Sequence, residues 1–207
     1  MSASNGGGLL PLPMVGIPTA LQGHVTRGAR DGHGRRVGAL AARIAAQLGI
    51  RGAARSHIDL AGSVHDVGKL WISSDILDKP GPLTPDEMDI VRQHPVLGAL
   101  ALTAIGITHA RSVTAATIVY DVVLSHHERW DGAGYPHRRA STDIPFVARI
   151  VAVADVFDAM THVRSYHPAM PPAEAERVIT QESGKMFDPT VVHAFLALQR
   201  QPIRRRR

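Results

Sequence analysis

Residues 65–69 read His-Asp-Val-Gly-Lys, and residues 126–136 read His-His-Glu-Arg-Trp-Asp-Gly-Ala-Gly-Tyr-Pro. Metal-ligand side chains therefore stand in adjacent pairs at two separate places. Neutral imidazoles together with carboxylates suit borderline divalent ions such as iron, manganese or zinc. Neighbouring side chains on a helix point about 100° apart, so His65 and Asp66 would reach two ions from one helical turn. The pattern predicts metal-assisted phosphate chemistry.

Apolar residues recur at helical spacing along most of the chain. From His33 to Gly49 they follow a 3.6-residue period, with the glycine where a helix ends. Thr84-Pro85-Asp86-Glu87 supplies an N-cap, a proline and a capping-box glutamate for a helix that runs to about residue 92. Further helices are predicted over 55–70, with His65 and Asp66 inside, and over 112–127, 146–161, 172–183 and 188–200. No stretch alternates strictly between apolar and polar residues, so we predict an all-α domain.

The length of 207 residues suits one well-buried domain. Residues 1–23 are predicted to be a flexible leader rich in Gly and Pro, residues 24–200 the domain, and residues 201–207 a basic tail. The leader carries no charged residue, and prolines and a glycine run interrupt its apolar residues. Neither a signal peptide nor a membrane span is therefore predicted, and we expect a cytoplasmic protein.

The composition excludes several classes of function. The formal net charge is +5, and the four final arginines account for all but one unit of it. Aromatic residues make up only 4% of the chain and no basic stripe contains them, which argues against nucleic-acid binding. The chain has no cysteine, so disulfides, thiolate nucleophiles and Cys-type zinc sites are excluded. Histidine and aspartate must supply any metal ligands.

Asp155 lies in the apolar run Ile-Val-Ala-Val-Ala-Asp-Val-Phe, where an ionised carboxylate needs a partner. By itself it would be satisfied by an arginine. Beside His33, His65 and Asp66 it completes a set of four ligands from three predicted helices. Scattered core histidines would not easily produce that set, so we predict a metal site.

Three more histidines suit a second metal. His126 and His127 end a predicted helix, where by themselves they would be a polar C-terminus facing the helix dipole. His94 precedes a proline and by itself would only begin a turn. With two ions about 3.5 to 4 Å apart, a bridging hydroxide attacks phosphorus while the metals neutralise the phosphoryl and leaving oxygens.

Five further residues are assigned by their neighbourhood. Lys69 follows Asp66 by three residues, where its ammonium would meet a phosphate oxygen; the alternative is a surface lysine. Gly68 would let substrate or another backbone approach. Tyr135 would stack on a base or hydrogen-bond the substrate, unless its loop is only a connector. Arg164 and Tyr166 would contact phosphate and base; otherwise they are a surface arginine and a core tyrosine.

With these residues assembled, the chain resembles the HD-GYP family, a branch of the HD phosphohydrolase superfamily whose members hydrolyse bacterial cyclic dinucleotides, chiefly cyclic di-GMP. The resemblance implies an HD-domain helical bundle with the HD-GYP C-terminal helical extension. It runs from about residue 30 to 195. The matching blocks are GHGRRV at 32–37, HDVGK at 65–69, ILDKPGPLTPDE at 76–87, HPVLG at 94–98, HHERWDGAGYP at 126–136, ARIVAVADVFDAMT at 148–161 and FDP at 187–189.

By resemblance, Asp66 bridges two divalent ions, iron or manganese. The lysine of the family's HDxGK motif falls on Lys69 and is implied to bind phosphate, and an arginine implied to contact substrate phosphate falls on Arg164. The metal ligands implied are His33, His65, Asp66, His94, His126, His127 and Asp155. Candidate partners are the cyclic dinucleotide, a diguanylate cyclase or other signalling proteins, and a second copy of the chain.

The chain departs from the family pattern at three places. Some members carry a glutamate four residues before the first histidine to help hold a third metal, and here that position is Ala29. We therefore expect two metals. His137-Arg138-Arg139 stands where Gly and Leu often follow the GYP motif, and His167 replaces a frequent basic residue.

The leading hypothesis is a dimetal phosphodiesterase that opens cyclic di-GMP to linear pGpG, with further cleavage to GMP left open. A rival is hydrolysis of another phosphate ester, such as a cyclic GMP-AMP dinucleotide or a nucleotide monophosphate, because the ligand set fixes the reaction and not the base. A rival from another class is a catalytically weak domain that binds the dinucleotide or a partner protein. The complete ligand set argues against that last hypothesis.

Overall fold

A computed structural model describes residues 32–107, 114–162 and 169–200. The described residues form helices and contain no strand, apart from an isolated bridge between Ser183 and Phe187. The prediction of an all-α domain is confirmed. The helices are α1 His33–Gln47, α2 Gly52–Val64, α3 Ser74–Leu77, α4 Pro85–Val91, α5 His94–Ala104, α6 Ala115–Ser125, α7 Phe146–Thr161, α8 Pro172–Gln181 and α9 Pro189–Gln199, with short 3₁₀ segments at Val67–Trp71 and Ser141–Asp143.

The core forms where the long helices meet. Helix α1 packs against α2, α7 and α9, and α2 also packs against α6. The apolar face of α1 supplies Val37, Ala41 and Ile44, all fully buried. Burying a Val or Ile side chain contributes about 1.5–3 kcal/mol, so this face fixes α1 against its neighbours. The predicted ligand His33 is the first residue of the same helix.

The second helix differs from its prediction. It begins at Gly52 and ends at Val64, so His65 and Asp66 follow the helix instead of lying inside it. The chain then tightens into the 3₁₀ segment Val67–Trp71, in which the Lys69 N–H donates to the Asp66 carbonyl at 2.9 Å. The tighter turn places Gly68 against the backbone of α5, a contact that apolar periodicity does not encode.

Other helix boundaries follow the sequence closely. Helix α7 spans the predicted 146–161, and Thr84 and Glu87 form the expected capping box. Helix α6 ends at Ser125, two residues before its predicted end, so His126 and His127 follow the helix. In the part of the chain that the structure describes, no helix is both long and apolar enough to cross a membrane.

Several predictions concern residues outside the described ranges. The leader 1–23, the tail 201–207 and Ala29 lie there. So do Arg164, Tyr166 and His167, which belong to the segment 163–168.

Candidate metal centre

The structure brings the predicted ligands together in two adjacent groups. Within each group the ligand atoms lie within 4.8 Å of one another, the distance that a shared metal ion requires. The first group is His33, His65 and Asp155; the second is Asp66, His94, His126 and His127.

Six of the seven predicted ligands lie at or directly beyond helix ends that converge on the middle of α7, and α7 supplies the seventh. His33 and His94 are the first residues of α1 and α5, and Asp155 lies inside α7. The pairs 65–66 and 126–127 directly follow α2 and α6. Because the helix ends meet here, α1, α2, α5, α6 and α7 all contribute ligands to the same site.

The imidazole rings of His65, His94 and His126 are oriented by backbone carbonyls. The Nδ1 atoms of His65, His94 and His126 lie 2.7, 2.8 and 3.0 Å from carbonyl oxygens three or four residues earlier in the chain. A carbonyl only accepts, so each Nδ1 carries a proton, and each Nε2 presents a lone pair to the centre when the ring is neutral. Metal-ligating histidines are held in this way by their outer nitrogen.

The atoms that face the centre lack ordinary partners. The Nε2 atoms of His94 and His126 lie 3.3 Å apart, although both are acceptors in the tautomers set by their carbonyls. Nε2 of His65 and Oδ1 of Asp66 are buried without a hydrogen bond. Buried acceptors facing one another are unfavourable unless a cation lies between them. This donor set therefore fits divalent metal ions.

Asp66 lies between the two groups. Its Oδ1 is 3.2 Å from Nε2 of His94 and 3.8 Å from Nε2 of His126. Its Oδ2 is 3.4 Å from Nε2 of His65 and 2.6 Å from Nζ of Lys69. One carboxylate oxygen thus faces each group, which is the arrangement that a bridging ligand needs.

The carboxylates and His65 affect one another strongly. Burial opposes the ionisation of Asp66 and Asp155, but the surrounding cationic groups outweigh it and hold the pKa of both carboxyls well below their usual range. Burial also works to lower the pKa of His65, but the two carboxylates outweigh it and raise that pKa to about 10. In the metal-free protein His65 is therefore protonated at Nε2 as well as at Nδ1. The site favours a positive charge beside that Nε2 atom.

Two histidines of the second group, His126 and His127, have pKa values shifted in the opposite direction. Burial and the neighbouring His127 hold the pKa of His126 well below its usual range. Burial and the neighbouring His94 lower the pKa of His127 to about 4. Both imidazoles are neutral at pH 7, the state in which they bind metals.

A cleft of about 290 Å³ opens onto the second group. Its lining includes His127, Asp155 and Tyr135, together with Arg92. The Tyr135 ring stacks on His127, with the ring centres 4.7 Å apart and 21° between the planes. Burial, with the charge of Asp66, raises the pKa of Tyr135, so the phenol stays protonated. Tyr135 therefore lies where a bound substrate would meet it.

The loop that carries Tyr135 is fixed by two features. A Cβ atom on Gly134 would lie 2.6 Å from the Cα of Glu128, so only glycine allows this close packing. The buried Glu128 carboxylate accepts the backbone N–H groups of His137 at 2.8 Å and Arg139 at 3.0 Å. These contacts use backbone atoms, so they do not depend on the side chains at 137–139.

Two residues that sequence reasoning passed over support the site. Glu128 is one, and the sequence feature that could have identified it is its position directly after the histidine pair. Asp158 is the other: it is 4% exposed and accepts hydrogen bonds from His33 and Arg36. The sequence feature that could have identified Asp158 is its position three residues after Asp155 in an apolar helix.

The helical core and the paired His/Asp groups are those of an HD domain. A family model described as "HD domain" matches residues 24–191. The chain belongs to the HD domain family, and the resemblance to its HD-GYP branch is confirmed. The solved HD-GYP protein Bd1817 of Bdellovibrio bacteriovorus superposes with a TM-score of 0.63 over 83% of this chain and 52% of that one, at 20% identity.

Relatives with assigned activities share more sequence. The chain is 41% identical over 169 residues to a protein of Thermotoga maritima named cyclic di-GMP phosphodiesterase, covering 82% of this chain and 44% of the relative. It is 34% identical over 164 residues to a Vibrio cholerae protein named 3′3′-cGAMP-specific phosphodiesterase 2, covering 79% and 30%. The chain spans less than half the length of these relatives.

Proposed function

We propose that this chain is a metal-dependent phosphodiesterase that hydrolyses cyclic di-GMP to pGpG and then to GMP. One observation carries the proposal: Asp66 lies between two ligand groups, with Lys69 at 2.6 Å from its Oδ2. A cationic side chain beside two adjacent ligand groups supports the proposal, because phosphoryl chemistry requires metals and positive charge together. The 41% identity to the Thermotoga maritima protein supports the choice of cyclic di-GMP.

The seven clustered side chains would hold two divalent ions, with Asp66 shared between them. Mixed imidazole and carboxylate ligands suit iron or manganese. When bound, such a pair supplies Lewis-acid activation of water and of the phosphoryl group. Because Ala29 carries no carboxylate, a third ion has no ligand at that position, and we propose a stoichiometry of two per chain.

Residues beside the ligands would bind and orient the dinucleotide. The ammonium of Lys69 would donate to a non-bridging phosphate oxygen. Once bound cations neutralise the Asp66 carboxylate, the ion pair between Lys69 and Asp66 contributes little free energy, so Lys69 would leave it readily. Tyr135 would offer its ring edge or its protonated hydroxyl to the substrate. Arg164 and Tyr166 are proposed, from the family resemblance, to contact phosphate and base.

A second candidate substrate is a cyclic GMP-AMP dinucleotide. The 34% identity to a protein named 3′3′-cGAMP-specific supports it, and the ligand set selects a phosphate ester without selecting a base. We further propose a cytoplasmic location. A diguanylate cyclase, other signalling proteins or a second copy of the chain are proposed partners.

Product analysis tests the proposal. Protein reconstituted anaerobically with Fe(II) or Mn(II) is incubated with cyclic di-GMP or 3′3′-cGAMP, and products are separated by chromatography while metal content is measured on the same sample. We expect pGpG, then GMP, and about two metals per chain. Preferential cleavage of 3′3′-cGAMP would establish the second candidate. Tight dinucleotide binding without products would establish a binding domain and refute the enzyme.

A further inference from the structure

Asp158 connects the metal centre to the first helix. It lies in α7 with its side chain 5% exposed. Its Oδ2 accepts from Nδ1 of His33 at 2.7 Å, and its two oxygens accept from Nε and Nη2 of Arg36 at 2.7 and 3.0 Å. The inner nitrogen of the same imidazole, Nε2, lies 3.1 Å from Oδ1 of Asp155.

We propose that Asp158 is a positioning residue, which orients His33 for metal binding and fixes its tautomer. The proposal rests on the metal centre of the proposed function. An ionised carboxylate only accepts, so Nδ1 of His33 donates to Asp158, and Nε2, which faces Asp155, is the nitrogen that would bind the metal. Carboxylate–imidazole pairs of this kind orient metal ligands in proteins.

His33 differs from the other oriented histidines in its support. His65, His94 and His126 use carbonyls three or four residues earlier. His33 is the first residue of α1, so within the described residues no helical turn precedes it. The Asp158 carboxylate, from a different helix, takes that role.

Arg36 fixes the carboxylate itself. It lies one turn after His33 in α1, and its two-point contact sets the plane of the Asp158 carboxylate. Helices α1 and α7 are thereby joined beside the ligand. The His162 Nδ1 atom also lies 3.0 Å from Oδ1 of Asp158.

An Asp158→Asn substitution separates positioning from packing. The amide keeps the shape of the carboxylate but has one accepting oxygen for donors on both helices. If its NH₂ group faces His33, Nδ1 must accept and the ring proton moves to Nε2, which then cannot bind a metal. If its oxygen takes the place of Oδ2 and faces His33, the NH₂ group faces Nε of Arg36, and that hydrogen bond is lost.

The test measures metal binding without substrate. Mn(II) binding to the unaltered chain, Asp158→Asn and His33→Ala is followed by equilibrium dialysis, and electron paramagnetic resonance reports coupling between two Mn(II) ions. We expect Asp158→Asn to weaken one of two sites by about 10- to 100-fold and to remove the coupling, as His33→Ala does. At a higher Mn(II) concentration, Asp158→Asn should regain the second ion, whereas His33→Ala should not.

Asp188→Asn is the matched control. Asp188 is equally buried and pairs with Arg149 at 2.6 Å, but it contacts none of the predicted ligands. It should keep both ions. Arg36→Met is a second variant that leaves the Asp158–His33 contact in place, and it should weaken the same site by a smaller factor.

The outcomes separate the two proposals. Two ions in the unaltered chain and unchanged affinities in Asp158→Asn would overturn the positioning role alone. An unaltered chain that binds no Mn(II) or Fe(II) would overturn the proposed function and the positioning role together. If circular dichroism shows that Asp158→Asn is unfolded, an unchanged affinity in folded Arg36→Met overturns the inference, and a weakened single site supports it.

Discussion

The ammonium nitrogen of Lys69 lies 2.6 Å from Oδ2 of Asp66, the carboxylate between the two ligand groups. The same carboxylate is 3.2 Å from Nε2 of His94 through its other oxygen. Lys69 is thus close enough to the centre to act on a phosphate there, and its side chain is 36% exposed, so it is free to move toward a substrate.

Lys69→Ala should keep the metals and the fold and lose turnover. Loss of one preorganised donor at a developing charge lowers the rate by about 10²- to 10³-fold. Substrate affinity should fall less, because the proposed metals and Arg164 also bind phosphate. Single-turnover hydrolysis of cyclic di-GMP, with metal analysis and circular dichroism, measures this. Lys79→Ala, which removes a lysine paired with Glu87, is the control. Near-normal turnover with intact metals would make Lys69 a bystander.

Asp66→Ala should lose both metals, because its two oxygens face different ligand groups. Elemental analysis after gel filtration measures the content. The control is Asp131→Ala, whose carboxylate pairs with Arg129 outside both groups. Full metal content in Asp66→Ala would show that the ligand assignment is wrong.

Gly68→Ala should destabilise the protein and disturb His94. A Cβ at this position would overlap the carbonyl oxygen of His94 and lie 2.7 Å from the backbone nitrogen of Gly98. Backbone atoms cannot move aside as a flexible side chain does, so we expect a loss of about 1–3 kcal/mol in the free energy of unfolding, with weaker metal binding.

Denaturant unfolding and metal titration measure both effects. Gly49→Ala is the comparison, since its Cβ would meet nothing within 4 Å and only the left-handed backbone, with φ of 84°, is strained. It should lose stability without weaker metal binding. A Gly68→Ala protein as stable as the unaltered chain would contradict the close approach.

Metal binding should release protons and strengthen as pH rises from 7 toward 10. The pKa of His65 is raised to about 10 in the metal-free protein, so at pH 7 its imidazole is protonated and a metal must displace that proton. His127, with its pKa lowered to about 4, releases none at pH 7. Calorimetric titrations in two buffers of different ionisation heat measure the release. Heats that do not depend on the buffer would contradict the prediction.

The chemistry of the site could be predicted from local sequence. The pairs His65-Asp66 and His126-His127 are visible as letters, and Asp155 stands out because a carboxylate in an apolar helix requires a partner. Gly68 was expected to admit substrate or another backbone, and the structure confirms the backbone, that of His94.

Other features depend on contacts between distant parts of the chain. Apolar periodicity extended the second helix through His65 and Asp66, because it reports which faces are buried and not where a chain tightens into a 3₁₀ turn. The support of His33 by Asp158 joins residues 125 positions apart, so no local pattern contains it.

The sequence by itself determined the helical class, the ligand types and the family resemblance, because periodicity and side-chain chemistry are local properties. Only the tertiary structure decided the distances within the ligand set, with one oxygen of Asp66 facing His94 and the other facing His65. It also decided that Tyr135 lies against His127. These relationships depend on how α1, α2, α5, α6 and α7 pack, and packing is set by the whole buried surface at once.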